Sequence, residues 1–377
     1  MIILGIESSC DDTSLAIVND KKEIIYHKTL SQKTKYGGVV PEVASRMHLE
    51  NMQALISEIA RDHSETLKQI DAIAITQGPG LMGSLMVGIV CAKFLALVLD
   101  KPIVAVNHLA AHALTIRMST EIPYPFLTLL VSGGNTQMLI VENEQKFLKL
   151  GETLDDALGE AFDKVARYLN LGYPGGPAIE KRALEGDETR FEFATPMVQF
   201  DNCDFSFSGL KTDIKRKLEN LGGVGSLKEE DINDICASFQ KTIITILKKK
   251  ISIAIKRFEK YMINIPKVFQ KNNFILRGEG PECTKGYMRT RDPDKMKDGF
   301  LKYEGYKFVL CGGVSANKYI TNSLRDYLKT LSVEFYCSEL KLCGDNAAMI
   351  AYTGIELFKK GKTDTLDFAP KANFPLY

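Results

Sequence analysis

Ile3-Leu4-Gly5-Ile6-Glu7-Ser8-Ser9-Cys10-Asp11-Asp12-Thr13-Ser14-Leu15-Ala16-Ile17-Val18 reads as an apolar strand, a polar turn rich in acceptors, and a second apolar strand. The layout returns at Phe126-Leu127-Thr128-Leu129-Leu130-Val131-Ser132-Gly133-Gly134-Asn135-Thr136-Gln137-Met138-Leu139-Ile140-Val141. Aligned, Ser9 meets Ser132 and Thr13 meets Thr136. A repeat with its halves about 120 residues apart is too long for a solenoid and predicts a duplicated α/β domain. Each turn offers backbone N–H groups and hydroxyls in a tight space, which suits a phosphate or a carbonyl oxygen. One such hairpin is ordinary structure; two that match carry more weight.

At 377 residues the chain is long enough for two domains with well-buried cores. The 45% hydrophobic and 25% charged residues are those of a globular protein. A formal net charge of +1 argues neither for nor against a nucleic-acid partner, so any basic surface has to be local. The eight cysteines form no C-x-x-C pair, which speaks against a zinc ribbon and for a reducing, cytoplasmic setting. Met1-Ile2-Ile3-Leu4-Gly5-Ile6 starts a strand without the basic opening of a signal peptide. The apolar run from Leu85 to Leu99, interrupted by Gly88 and Lys93, reads as a buried helix, and no membrane contact is expected.

Asn107-His108-Leu109-Ala110-Ala111-His112-Ala113 holds two of the five histidines. Four residues apart on a helix, both imidazoles lie on one face and can share a divalent ion. Ala110 and Ala111 would leave room beside it. The competing reading is an ordinary amphipathic helix. No Glu follows the first His, so the zinc-protease pattern is missing and a metallopeptidase is disfavoured. The strand 102–106 delivers the pair to its C-terminal end, the edge where open α/β sheets bind ligands.

Glycine loops recur at such edges. Gln77-Gly78-Pro79-Gly80-Leu81-Met82-Gly83 joins a strand to an apolar helix, and Gly312-Gly313-Val314-Ser315-Ala316-Asn317 does so again. Neither ends in Gly-Lys-Ser/Thr, so neither is a P-loop. Tyr36-Gly37-Gly38-Val39-Val40-Pro41-Glu42 leads from a loop into a helix, and Tyr173-Pro174-Gly175-Gly176-Pro177 is a rigid turn before another. In the helical stretch 150–168, Thr153 is the expected N-cap. Asp155, Asp156 and Glu160 read as a solvated acidic face there, and Asp163 as a more deliberately placed carboxylate. Residues 232–259 predict a long helix. From about 261 to 305 the chain is polar and aperiodic, with Tyr287 among basic residues; a surface insertion is expected, with nucleic-acid contact as the rival reading. Asp345 lies at a helix start, where it serves as a bare N-cap or as an oxygen ligand completing a two-histidine metal site.

Taken in order, these stretches resemble one family. They include Gly5 through Thr13, Gly38-Val39-Val40-Pro41-Glu42, Val131-Ser132-Gly133-Gly134 and Gly159-Glu160-Ala161-Phe162-Asp163-Lys164. Phe205-Ser206-Phe207-Ser208-Gly209-Leu210-Lys211-Thr212 and Asp345-Asn346-Ala347-Ala348-Met349 extend the set. The chain resembles the tRNA N6-adenosine threonylcarbamoyltransferases, in their bacterial or organellar branch, nearly throughout except for the insertion.

The resemblance implies an actin-like ATPase fold (the sugar kinase and Hsp70 superfamily), with two related domains around a cleft. Residues 1–120, joined by about 345–377, would form the first domain and 121–344 the second. It implies transfer of a threonylcarbamoyl group from threonylcarbamoyl-AMP to N6 of the adenosine just 3′ of the anticodon (tRNA position 37) in tRNAs reading codons that begin with A. The implied metal ligands are His108, His112 and Asp345, with iron preferred to zinc. The implied substrate contacts are Leu130, Val131, Ser132, Gly133, Gly134, Asp163, Gly176 and Asn317. Asp11 or Asp12 would orient the substrate or take the amine proton. The implied partners are tRNA, with either a related actin-like subunit and a small P-loop ATPase or a second copy. Asn135 stands where many members have His, and Gly344 where Thr is usual; neither change removes a ligand. The rivals are a kinase or ATPase of the same fold, for which the histidine pair is superfluous, and a non-catalytic tRNA-binding subunit.

Overall fold

The structure is a computed structural model that describes residues 1–32, 38–264 and 305–377. It contains two five-stranded mixed sheets of matching topology. In the first, β1 (Ile2–Glu7) lies antiparallel to β2 (Asp12–Asn19), which carries the edge strand β3 (Ile24–Ser31). Helices α1 (Pro41–Asp62) and α2 (Ser64–Lys68) lead to β4 (Ala72–Gly78), parallel to β1; α3 (Met82–Leu99) leads to β5 (Ile103–Asn107). The strand order is β3-β2-β1-β4-β5.

The histidine helix α4 (His108–Leu114) then hands the chain to the second sheet. Here β6 (Phe126–Val131) is antiparallel to β7 (Thr136–Val141), which carries β8 (Phe147–Glu152). Four helices follow: α5 (Leu158–Tyr168), α6 (Gly175–Ala183), α7 (Ser208–Asn220) and α8 (Glu229–Asn264). Next come β9 (Lys307–Cys311), parallel to β6, then α9 (Lys318–Thr330) and β10 (Glu334–Cys337). The order β8-β7-β6-β9-β10 is that of the first sheet, element for element. The short α10 (Leu340–Cys343) and then α11 (Ala347–Lys359) return to the first sheet.

The repeat is real, but its register differs from the sequence alignment. Glu7 pairs with Ser14, whereas Val131 pairs with Thr136. The first turn is therefore longer, and the partner of Thr136 is Ser14, not Thr13. The two hydroxyls do the same job. Ser14 Oγ accepts from the first amide of α11, Ala347, at 3.0 Å, and Thr136 Oγ1 accepts from the first amide of α5, Leu158, at 2.8 Å. Each satisfies an N–H left free at a helix start.

Gly5 explains how α11 lies directly on the first sheet. A Cβ there would stand 2.3 Å from the Ala347 carbonyl oxygen and 2.7 Å from the Ala351 amide nitrogen. Only a strand residue without a side chain permits that approach. Helices α1 and α3 cover the opposite face, through Met52, Leu55, Ile59, Leu85, Ile89 and Ala92.

Helix α3 corrects the expectation of a buried helix. Its inner face is buried, yet Met86, Val90, Phe94, Leu97 and Val98 are exposed, each by half or more. By length and composition alone, Met82–Leu99 is also apolar enough to cross a membrane.

In the second half α8 is longer than 232–259 and runs on to Asn264, so the insertion begins later than 261. The rest of it, with the basic stretch around Tyr287, and the loop residues Tyr36 and Gly37 lie outside the described residues. Inside α8, fully buried Lys250 donates from Nζ to the carbonyls of Met197, Phe200 and Asn202 and to Asn202 Oδ1, at 2.7 to 3.2 Å. One cation thus gathers a loop that has no regular structure of its own.

Candidate active site

The strand β5 ends at Asn107, whose Oδ1 accepts from the amides of Leu109 and Ala110 at 2.9 and 3.2 Å. That N-cap starts α4 at His108 and fixes the phase of the helix. One turn on, the His112 ring meets the His108 ring edge to face, with centroids 4.6 Å apart. His112 Nε2 lies 3.0 Å, and His108 Nε2 3.5 Å, from the same oxygen, Asp345 Oδ1. One donor atom from each of the three falls within 4.8 Å of the others. The spacing read from sequence thus brings both imidazoles to one carboxylate from the far end of the chain.

Between the two histidines stand Ala110 and Ala111. Both are buried in the core, and their smallness serves the packing around α4 and α11. Asp345 is not a helix cap: Asn346 caps α11, its Oδ1 accepting from the Met349 amide at 2.9 Å. That frees the Asp345 carboxylate for the histidines.

A fourth residue, missed in the sequence, stands behind them. Glu7 is fully buried at the end of β1, with Oε2 3.0 Å from His108 Nδ1 and also accepting from Thr76 Oγ1 at 2.5 Å. Its Oε1 accepts from the Ser9 amide at 2.5 Å. The signal was a charged residue closing an otherwise apolar strand.

The electrostatics bind these groups into one coupled cluster. Burial pushes the Glu7 carboxyl up, but the His108 ring outweighs it and holds Glu7 below its usual value. Burial opposes charge on His108, yet Glu7 and Asp345 together raise that ring well above the ordinary histidine range. Asp345 is held far below the usual carboxylate range by His108 and His112, against the pull of burial. Two imidazoles and one carboxylate, with a second carboxylate fixing one ring from behind, fit a divalent metal and its supporting shell.

The acidic turn lies nearby. Burial, with Asp345 and Asp11 adding to it, pushes the Asp12 carboxyl up to about 6. Burial and then Asp345 raise Asp11. Asp163 is raised by burial and by Asp11 across the cleft, even as its Oδ1 accepts from the Gly175 amide at 2.7 Å. Tyr173 is pushed up to about 12 by burial, then by Asp11 and Asp163. Carboxylates from both halves therefore face one mouth. The hydroxyls of this turn do not all face outward, since Ser8 Oγ donates to the Ser84 carbonyl at 2.9 Å.

The residues expected to hold the nucleotide are partly together. Gly133 and Gly134 form the open tip of the β6–β7 turn, and Gly176 is likewise open at the start of α6. Gly312 joins them: it has φ +90°, and a Cβ would stand 2.4 Å from the Val131 carbonyl oxygen. The β9 loop can therefore lie against the end of β6 only with glycine here. Leu130 and Val131 have fully buried side chains, so only their backbone borders the mouth. Asn317 is held in place from two sides: Oδ1 caps α9 at the Ile320 amide, 3.0 Å, and Nδ2 donates to Gln240 Oε1, 2.8 Å.

The acidic stretch before α5 is exposed at Asp155 but is more than a solvated face. Ala157, not Thr153, occupies the N-cap position. Asp155 accepts from Ser206 Oγ at 2.6 Å and the Phe207 amide at 2.8 Å, docking the 205–208 segment. Asp156 is buried between Lys164, at 2.7 Å, and Lys211.

Paired sheets of one topology around a shared mouth define an actin-like ATPase fold, here with a histidine–carboxylate cluster in the cleft. Solved structures agree at the level of fold: HypF from T. kodakarensis is similar over 96% of this chain and 48% of its own, at TM-score 0.52 and 13% identity. A full-length HypF in its phosphate- and nucleotide-bound form is similar over 95% and 46%, at TM-score 0.50 and 12% identity. The family model described as TsaD, tRNA N6-adenosine threonylcarbamoyltransferase, matches residues 23–296 and 256–352. The chain is 43% identical to a tRNA N6-adenosine threonylcarbamoyltransferase of Wolbachia pipientis wMel, over 99% of this chain and 98% of that one. It is 42% identical to the enzyme so named in Rickettsia prowazekii (strain Madrid E), with the same coverage. The chain belongs to the tRNA N6-adenosine threonylcarbamoyltransferase family and is a transferase that modifies tRNA. The kinase and scaffolding alternatives are not favoured.

Proposed function

We propose that His108, His112 and Asp345 hold one divalent ion, iron rather than zinc, and that the mouth around it receives threonylcarbamoyl-AMP. The observation that carries this is the convergence of both Nε2 atoms on one Asp345 oxygen, backed by Glu7. Two imidazoles and a carboxylate with open positions are a donor set suited to ferrous iron. When bound, the ion supplies Lewis acidity for the carbamoyl carbonyl.

The protein's own groups do the rest. The open glycines 133, 134 and 176 leave backbone amides for the AMP, with Asp163 beside them. Asp12, with its raised pKa, is suited to take the proton from the adenine amine as N6 attacks. Asp11 orients the same amine. No covalent enzyme intermediate is needed; positioning supplies the rate. The anticodon loop enters with its target base unstacked, since a folded tRNA is too large for the cleft.

The exposed apolar face of α3 supports a protein partner: a related actin-like subunit, working with a small P-loop ATPase, or a second copy of this chain. The two sheets support a division into domains at 1–120 with 345–377, and 121–344. A cytoplasmic setting accords with a tRNA substrate.

The test supplies synthetic threonylcarbamoyl-AMP and tRNA to this protein with its partners, followed by nucleoside mass spectrometry. Threonylcarbamoyladenosine in tRNAs reading codons that begin with A is expected. Its absence, while a Rickettsia relative succeeds in parallel, overturns the reading.

A further inference from the structure

The turn that carries Asp11 and Asp12 hangs from two helices. Its Cys10 carbonyl accepts from His48 Nε2 of α1 at 3.0 Å and from Ser84 Oγ of α3 at 3.2 Å. On the far side of the same turn, His48 Nδ1 meets Thr13 Oγ1 at 2.8 Å, and Asn51 Nδ2 donates to that hydroxyl at 3.3 Å.

The hydrogen bonds fix the tautomer. A carbonyl can only accept, so Nε2 carries the proton and donates. Nδ1 of the neutral ring is then the acceptor for the Thr13 hydroxyl, which in turn accepts from Asn51. Burial lowers the His48 pKa below the ordinary value, so the ring is neutral at pH 7. Its side chain is fully buried.

One imidazole therefore ties residue 10 to residue 13, directly across the two acidic residues. Apolar packing alone would not need a donor at one end of the ring and an acceptor at the other. We propose that His48 is a positioning residue for the transfer reaction: by bridging the Cys10 carbonyl and the Thr13 hydroxyl it fixes the Asp11–Asp12 backbone toward the cleft. The proposal rests on the reading that this turn handles the amine of the target adenosine.

The experiment compares His48→Ala, His48→Gln and Thr13→Val in the full chain with its partners, using synthetic threonylcarbamoyl-AMP and tRNA. His48→Ala is expected to lower kcat roughly 10- to 100-fold, the scale of a displaced reacting group. The donor KM is expected to stay within about threefold and bound metal to stay at the wild-type ratio, because the proposed ligands and the open glycines lie on other elements than the His48 contacts. Gln places a donor where Nε2 stood and is expected to recover most of kcat. Should His48→Ala fail to fold, Thr13→Val, nearly the same shape without the hydroxyl, carries the prediction at about tenfold. A kcat within twofold of wild type in His48→Ala, or in Thr13→Val where it stands in, overturns the proposal. So does a loss matched by equal loss of metal, or a Gln variant no better than Ala. Asp11→Asn and Asp12→Asn separate the two claims. Full activity in both removes the reading beneath the proposal. Impaired Asp variants beside an unimpaired His48→Ala remove the proposal alone.

Discussion

Glu7 and His108 lie 101 positions apart in sequence and 3.0 Å apart in space, carboxylate Oε2 against ring Nδ1. That contact leaves Nε2 as the ring nitrogen that faces His112 and Asp345. A buried carboxylate behind a metal-facing imidazole both orients the ring and strengthens it as a donor. Glu7→Gln keeps the size and one acceptor but removes the charge. Its metal affinity is expected to fall about 10- to 100-fold. Chelator competition measures this directly, and an unchanged affinity would show that Glu7 serves only the packing of β1.

The three proposed ligands have a separate signature. Wild-type protein should carry about one divalent ion per chain. His108→Ala combined with His112→Ala should carry none by elemental analysis. Asp345→Ala should lose transfer while still binding tRNA, because phosphate contacts made by Lys and Arg are independent of it. Retention of metal in the double histidine variant contradicts the site.

Asp12 sets a pH limb. Its carboxyl is pushed up to about 6, mainly by burial, so the basic form is scarce below that pH. Transfer should therefore rise about tenfold per pH unit up to about pH 6 and then level off. The sign is opposite for folding: a carboxyl raised in the folded state adds stability at low pH and loses it as pH climbs through about 6. A pH–rate profile of Asp12→Asn should lack the limb, and a profile identical to wild type would assign the proton transfer elsewhere.

Lys250 predicts a stability effect far from the cleft. Lys250→Met fills a similar volume but leaves the part-buried Phe200 and Asn202 carbonyls without this donor, while the Met197 carbonyl keeps the Phe200 amide and Asn202 Oδ1 keeps the Asp204 amide. The cost is expected to be about 3 kcal/mol, since each buried acceptor left without a partner is costly. Urea unfolding would register it; a midpoint unchanged from wild type would mean that water replaces the ammonium.

Much of this was legible from sequence, and for physical reasons. Strand alternation and glycine turns are local, so the hairpins at 2–19 and 126–141 announced the repeat, and the i,i+4 histidines announced their shared face. What was not legible depends on register and on long-range partners. Ser14, not Thr13, matches Thr136, because the first turn is longer in a way that alignment of hydroxyls concealed. Thr153 looked like a cap because caps are recognised by residue type, yet α5 starts only at Leu158 and its first amide is satisfied from β7. Asp155 and Asp156 looked solvated because their partners, Ser206 and Lys211, lie some fifty residues away. His48 carries no local signature at all, and Glu7 only that of a charge closing an apolar strand. Helix α3 read as buried because composition records how apolar a helix is, not how many of its faces are covered.

The contact that Gly5 makes possible also orders the birth of the molecule. A ribosome releases β1 first and α11 nearly last, yet β1 is roofed by α11. The first sheet must wait, one face bare, through the synthesis of the entire second sheet and its helices. The described residues between 127 and 333 have a core of their own and can close in the meantime. Asp345 reaches His108 and His112 only when the late helix docks. A truncated product would therefore hold the acidic turn and the histidines but never the completed cluster, so chain completion and assembly of the cluster are one event.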